Sequence, residues 1–148
     1  MDEIVDIELK KTFVMKQKVF SRLNSEEIDM LATLFLEKHI KSGTTIVTEG
    51  DPVDSIYLIV KGSVDVQHVS MKDHVPQIQH LATLSEGSSI GLSETGFYSL
   101  SGVRTATVVA KDDVVLLRLS VAAFNGFTLA HPHVKEMMGQ NTATSSNN

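Results

Sequence analysis

The sequence has no cysteine among its 148 residues. That absence excludes a disulfide framework, Cys-ligated zinc, iron–sulfur clusters and a thiol nucleophile. An excess of positive charge is also missing: 13 Lys and Arg stand against 18 Asp and Glu, a formal charge of −5. Nucleic-acid binders carry the opposite balance, because phosphate contacts need a basic patch. No apolar run approaches the roughly 20 residues that span a bilayer. Residues 1–11 mix acids and bases with short apolar pairs, unlike a signal peptide. These absences predict a cytoplasmic protein with no membrane or nucleic-acid partner. Its length suits one domain with a sizeable core.

What is present changes character along the chain. Asn24 has Glu27 three positions on, the spacing of a capping box, and Ile28, Leu31, Leu34 and Phe35 follow at helical intervals. Glu26, Glu27 and Asp29 suit the positive end of that helix. Residues 13–23 predict another helix, with Val19, Phe20 and Leu23 on its apolar side. Residues 1–12 form an N-terminal arm, open to reading as a further helical turn or a frayed segment. From Lys41 the pattern shortens into strands at 45–48, 55–60, 64–69, 77–84, 104–110 and 114–119, with turn signals between them. Residues 68–75 are polar and predict a hairpin loop, Pro76 opening the next strand. Ser120 is a helix cap before Val121, Phe124 and Phe127. His131-Pro132 starts a last helix with Val134, Met137 and Met138 on its apolar side. Residues 140–148 have nothing to bury and read as a disordered tail, so the domain spans 13–139.

The informative stretch is residues 86–110, EGSSIGLSETGFYSLSGVRTATVVA. Its glycines and serines let backbone amides approach an anion closely. Arg104 opens a strand whose period-2 companions are Ala106, Val108 and Ala110, so it faces inward. A buried guanidinium keeps its proton and needs an anion beside it. That anion is a ligand, or an acid of the chain such as Glu86 or Glu94.

These segments resemble the cyclic nucleotide-binding domain family, of the catabolite activator and protein kinase A regulatory subunit type. The likeness runs from about Val19 to Met138. VFSRLNSEEIDMLATL resembles the family's leading helices. KSGTTIVTEGDPVDSIYLIVKGSVDV resembles its opening strands, with Gly43, Gly50-Asp51, Tyr57 and Gly62 at the turn positions. AFNGFTLAHPHVKEMM resembles its helical exit. The resemblance implies a mainly β fold with flanking helices, an antiparallel eight-stranded jelly roll (β-roll). It also implies a phosphate-binding cassette, in which Gly, helix-start amides and an Arg hold a cyclic phosphate and a Glu holds the ribose 2′-hydroxyl. Arg104-Thr105-Ala106-Thr107 matches its second half and Ile90-Gly91-Leu92 its first, with Leu92 in the Glu position. Leu92 to Arg104 is longer than the family interval; a cassette slipped onto Glu94, with Ser93 at the Gly position, restores it. The implied ligand set is Gly91, Leu92, Ser93, Glu94, Arg104, Thr105 and Ala106. Thr105 resembles cGMP-responsive members and also occurs in cAMP binders, so both nucleotides stay open.

The resemblance implies a non-enzymatic regulatory module. It would bind cAMP or cGMP as its ligand, need no further cofactor, and signal through its terminal helices to a protein partner or a second copy. The alternative is a degenerate domain of the same fold that binds no nucleotide and serves protein–protein contact, with Phe97, Tyr98 and Leu100 as contact residues. An enzymatic cupin-like roll would need clustered His and carboxylate ligands on its strands. His68, His74 and His80 instead surround the predicted hairpin loop and His131 and His133 lie outside the roll. No metal site and no catalytic group is read.

Overall fold

The computed structural model describes residues 5–92 and 102–134. Helix α1 (Ile7–Met15) and a 3-10 turn (Lys18–Phe20) lead to α2 (Ser25–Thr33). Eight strands follow: β1 (Leu36–Ile40), β2 (Thr45–Val47), β3 (Ser55–Lys61), β4 (Val64–Lys72), β5 (Val75–Leu84), β6 (Ser89–Ile90), β7 (Thr107–Ala110) and β8 (Val114–Ser120). Helix α3 (Val121–Ala130) comes next, and a further helical turn opens at Pro132. The strands form two antiparallel four-stranded sheets, ordered β1-β8-β3-β6 and β2-β7-β4-β5, the expected β-roll.

The central strands β3 and β8 explain the layering. Ile56, Leu58 and Val60 of β3 and Val115, Leu117 and Leu119 of β8 pack with Phe13, Val14, Phe20, Leu31, Phe35, Phe124 and Phe127 from the helical segments. Ile59, Val114 and Leu116 join Val47, Val64, Ile90, Val108 and Ala110 inside the roll. Both faces of these strands are therefore covered, which is why they read as continuous apolar runs. Each fully buried Leu or Ile contributes roughly 1.5–3 kcal/mol of transfer free energy.

The caps are local. Asn24 accepts from the Glu27 amide and Glu27 Oε1 from the Asn24 amide, both at 2.9 Å, completing the capping box. Ser120 Oγ accepts from the Ala123 amide at 3.0 Å at the start of α3.

Four sequence expectations are corrected. The helix expected over 13–23 is broken: α1 ends at Met15, Gln17 is extended, and only the 3-10 turn follows, although Val19, Phe20 and Leu23 are buried as expected. The helix expected to carry Ile28, Leu31, Leu34 and Phe35 stops at Thr33, and residues 36–40, ahead of the expected first strand, pair with β8 as an edge strand. The predicted loop over 68–75 is strand instead: β4 runs to Lys72 and β5 starts at Val75. Asp73 and His74, at φ of 52° and 66°, form the two-residue turn. Finally, β7 starts at Thr107 and not at Arg104.

Candidate functional site

The site begins with backbone. The Gly50 amide donates to the Arg104 carbonyl at 2.9 Å and the Arg104 amide to the Asp51 carbonyl at 2.8 Å. The Val53 amide donates to the Gly102 carbonyl, and Pro52 bridges Val103. Residues 102–104 are thus laid antiparallel along the turn before β3. This placement sends the Arg104 side chain inward, where only 6% of the residue is exposed.

Inside, Arg104 meets the first residue of β3. Its Nη2 donates to the Ser55 carbonyl at 2.7 Å and lies 3.4 Å from Ser55 Oγ. Asp54 Oδ1 stands 3.6 Å from the same nitrogen, and Asp54 Oδ2 stands 3.7 Å from Arg118. The other terminal nitrogen, Nη1, is buried without a hydrogen-bond partner among the described residues. Burial depresses the Arg104 pKa from its ordinary value, Tyr57 and Asp54 oppose that, and Arg118 adds to it. The guanidinium still carries its charge, so a buried N–H faces no acceptor.

Nη1 lies against Gly91, which follows β6 at φ +86°. Tyr57 pairs with Ile90 across β3 and β6, and this register brings Gly91 beside Ser55 and Ile56. Gly91, Arg104, Leu92, Thr105 and Ala106 share one cavity of about 380 Å³. Val47, Val53, Val66, Val108 and Ile90 supply its floor and walls, and Leu81, Ala82, Leu84 and Ser89 its side towards β5. That volume is within the range of small-molecule pockets, and an apolar cavity with one unmatched cation suits a compact organic anion. A larger groove of about 510 Å³ lies between α2 and α3, lined by residues such as Met30, Leu34 and Phe127, but no buried charge faces it.

Five residues of the expected ligand set, Gly91, Leu92, Arg104, Thr105 and Ala106, therefore meet in one cavity. Thr105 is exposed at its rim and Ala106 is half-buried. Leu92 is buried and also belongs to the cluster formed with the helices. Ser93 and Glu94 lie outside the described residues, as do Phe97, Tyr98 and Leu100. Sequence reasoning missed Asp54 and Ser55. Asp54, not Glu86, is the described acid nearest Arg104, and the only sequence signal was the polar turn ahead of an apolar strand.

His131 and His133 both stand beside Glu27. Among the described residues no group of three or more ligating side chains is placed to hold an ion. His133, half exposed, bonds to Glu27 Oε2, and His131 stands 3.8 Å from the same oxygen. Among the described residues, no helix is long and apolar enough to cross a membrane.

The family model for the cyclic nucleotide-binding domain matches residues 37–131. The chain belongs to the cyclic nucleotide-binding domain family. The domain is 28% identical over 132 residues to Glutaminase 1 of Bradyrhizobium diazoefficiens, covering 89% of this chain and 20% of that protein. The chain thus spans about one-fifth or less of the length of the curated relatives it matches. Among solved structures, the N-terminal domain of a transcriptional regulator from Streptomyces coelicolor superposes with a TM-score of 0.73 at 27% identity, covering 91% of this chain and 90% of that one. The Thermus thermophilus catabolite activator protein superposes with a TM-score of 0.66 at 26% identity, covering 88% and 58%. The match runs through β1 to the end of α3 and so contains the whole described cavity.

Proposed function

We propose that the domain is a non-enzymatic sensor that binds a cyclic nucleotide, cAMP or cGMP, in the cavity beside Arg104. One observation carries this reading: a buried guanidinium with an unpartnered Nη1 against Gly91, in a cavity of about 380 Å³. A cyclic phosphate supplies the missing acceptor and the single negative charge. Gly91 and Arg104 hold it, Ala106 and Thr105 flank it, and Ser93 and Glu94, next along the chain, complete the ligand set. Binding passes to the terminal helices through Leu92, which lines the cavity and packs in the helical cluster. The receiver is a protein partner or a second copy.

Thermal denaturation of the full chain with cAMP and with cGMP tests this. At 100 times its dissociation constant a ligand adds about 2.7 kcal/mol to stability, a rise in Tm of about 5 °C or more for a chain of this size. No rise at millimolar nucleotide overturns the proposal. A rise that survives Arg104→Ala overturns the site.

A second reading, a domain that binds no nucleotide and contacts other proteins, is favoured by Leu92. Its side chain offers no acceptor and is already buried among helix residues. The same thermal denaturation with cAMP and cGMP decides between the two.

A further inference from the structure

We propose that Glu49 and His68, paired at the mouth of the cavity, read the edge of the bound base and select guanine over adenine. The inference rests on the nucleotide-binding reading and names the specificity of that same site.

The placement comes from the sheet. Val47, Val108 and Val66 are paired neighbours on β2, β7 and β4, and all three line the cavity. One step further along, Ala106 still lines it, and His68 follows Val66 on the same face of β4 by the two-residue period of a strand. His68 is thus the next side chain of that wall towards solvent. Glu49, in the turn after β2, is fastened beside it. Its amide donates to Thr107 Oγ1 at 2.9 Å, and its Oε1 lies 3.0 Å from His68 Nδ1 and accepts from the Val69 amide at 3.3 Å. The two side chains are 28% and 46% exposed, so a ligand can reach both. With the phosphate fixed where Nη1 meets Gly91, Val66, Leu81 and Ala82 offer apolar contact to the faces of a base, and the Glu49–His68 pair offers polar contact to its edge.

The chemistry of the pair selects the edge. His68 Nδ1 faces a carboxylate oxygen and therefore carries the ring hydrogen, which leaves Nε2 of the neutral ring as an acceptor. Glu49 Oε1 serves His68 and Val69, and Oε2 is a second acceptor. Guanine presents two neighbouring donors, N1–H and its exocyclic amino group, and so satisfies both. Adenine has one donor group, the N6 amine, flanked by ring acceptors, and sets a ring nitrogen against an acceptor. That unmatched contact costs affinity, because a site built to accept hydrogen bonds rejects a ligand that cannot give them. A charged acceptor strengthens the preference and its partial exposure moderates it, to about tenfold.

Isothermal titration of the full chain with cGMP and cAMP reads this directly. The expected result is cGMP binding about tenfold more tightly than cAMP. Equal affinity, or tighter binding of cAMP, overturns the inference and leaves the nucleotide-binding reading standing. Failure of both to bind overturns that reading and the inference with it. Glu49→Ala and His68→Ala each remove one acceptor, and each should bring the cGMP-to-cAMP affinity ratio down by about threefold or more. A merely structural role would weaken both nucleotides alike and leave the ratio where it was. An unchanged ratio in folded E49A and H68A therefore overturns the assignment to this pair. If neither variant folds, the wild-type ratio decides.

Discussion

A Cβ carried by Gly91 would stand 2.9 Å from Nη1 of Arg104. The guanidinium is itself fixed by the Ser55 carbonyl and cannot simply withdraw. Gly91 also sits at φ +86°, where an L side chain is strained. Gly91→Ala should therefore cost about 1–2 kcal/mol of stability through backbone strain. It should also abolish ligand-induced stabilisation, because the methyl occupies the space in front of Nη1. Denaturant unfolding with and without nucleotide measures both, and a variant with wild-type ligand response would show that the anion does not approach here.

Arg104→Lys keeps the positive charge and loses the fork. Arginine donates to Ser55 through Nη2 while presenting Nη1 to the cavity, two directions that a lysine ammonium on a flexible stem does not hold together. The expected result is a nucleotide affinity reduced by about tenfold to a hundredfold, with a small change in the stability of the unliganded domain. Titration calorimetry on R104K and wild type side by side checks it. Equal affinity would mean that charge alone binds the ligand.

How much of this was legible depends on how locally each feature is encoded. The Asn24–Glu27 box is an i, i+3 device and could be read outright. Arg104 does turn inward, but through the pairing of residues 102–104 with the turn before β3 and not through strand alternation, since β7 starts only at Thr107. Strands β3 and β8 announced themselves because burial on two faces demands unbroken apolar runs. Strand β1 did not: Leu-Glu-Lys-His-Ile occupies a sheet edge, where Glu37 engages His39 and little is buried. The outer parts of β4 and β5 were misread for the same reason, since residues 68–83 are all exposed and hold strand geometry through their mutual pairing. The partners of Arg104 were out of reach. Ser55 lies 49 positions away and meets it only through the fold.

Glu27 links α2 to the segment after α3 and makes the fold sensitive to acid. Burial disfavours its charge, but the Asn24 amide and His133 outweigh this and hold its pKa below the ordinary value of 4.5. A carboxylate with a depressed folded pKa contributes stability that is present above its unfolded pKa and lost as pH falls through the folded value. Glu27→Gln preserves the capping-box geometry and removes the charged bond to His133. It should destabilise by about 1 kcal/mol near neutral pH. The gap to wild type should close below about pH 4, as Glu27 itself takes up a proton. Urea unfolding across pH 3–7 follows the convergence, and a constant gap would place the effect in packing and not in charge.

Among the described glycines, Gly62 is the one least able to accept a side chain. It joins β3 to β4 at φ +91°, and an added Cβ would come within 2.6 Å of Val114 Cγ1 and 2.7 Å of both Asp112 Oδ1 and the Asp113 carbonyl. Two of those neighbours cannot yield cheaply. The Asp113 carbonyl is backbone, and Asp112 is held by the Ser63 amide at 2.8 Å through the oxygen that would clash. Val114 is 2% exposed in the roll cluster, so pushing it disturbs Ile59 and Leu116 beside it. Gly62→Ala therefore combines backbone strain with overpacking, each worth about 1–3 kcal/mol. The sum should lower the midpoint of thermal unfolding by about 5 °C or more. Gly43→Ala and Gly50→Ala, with φ of +87° and +91° but nothing within 4 Å of the added carbon, carry only the strain and should cost less. Equal losses at all three positions would show that conformation, and not contact, governs these turns.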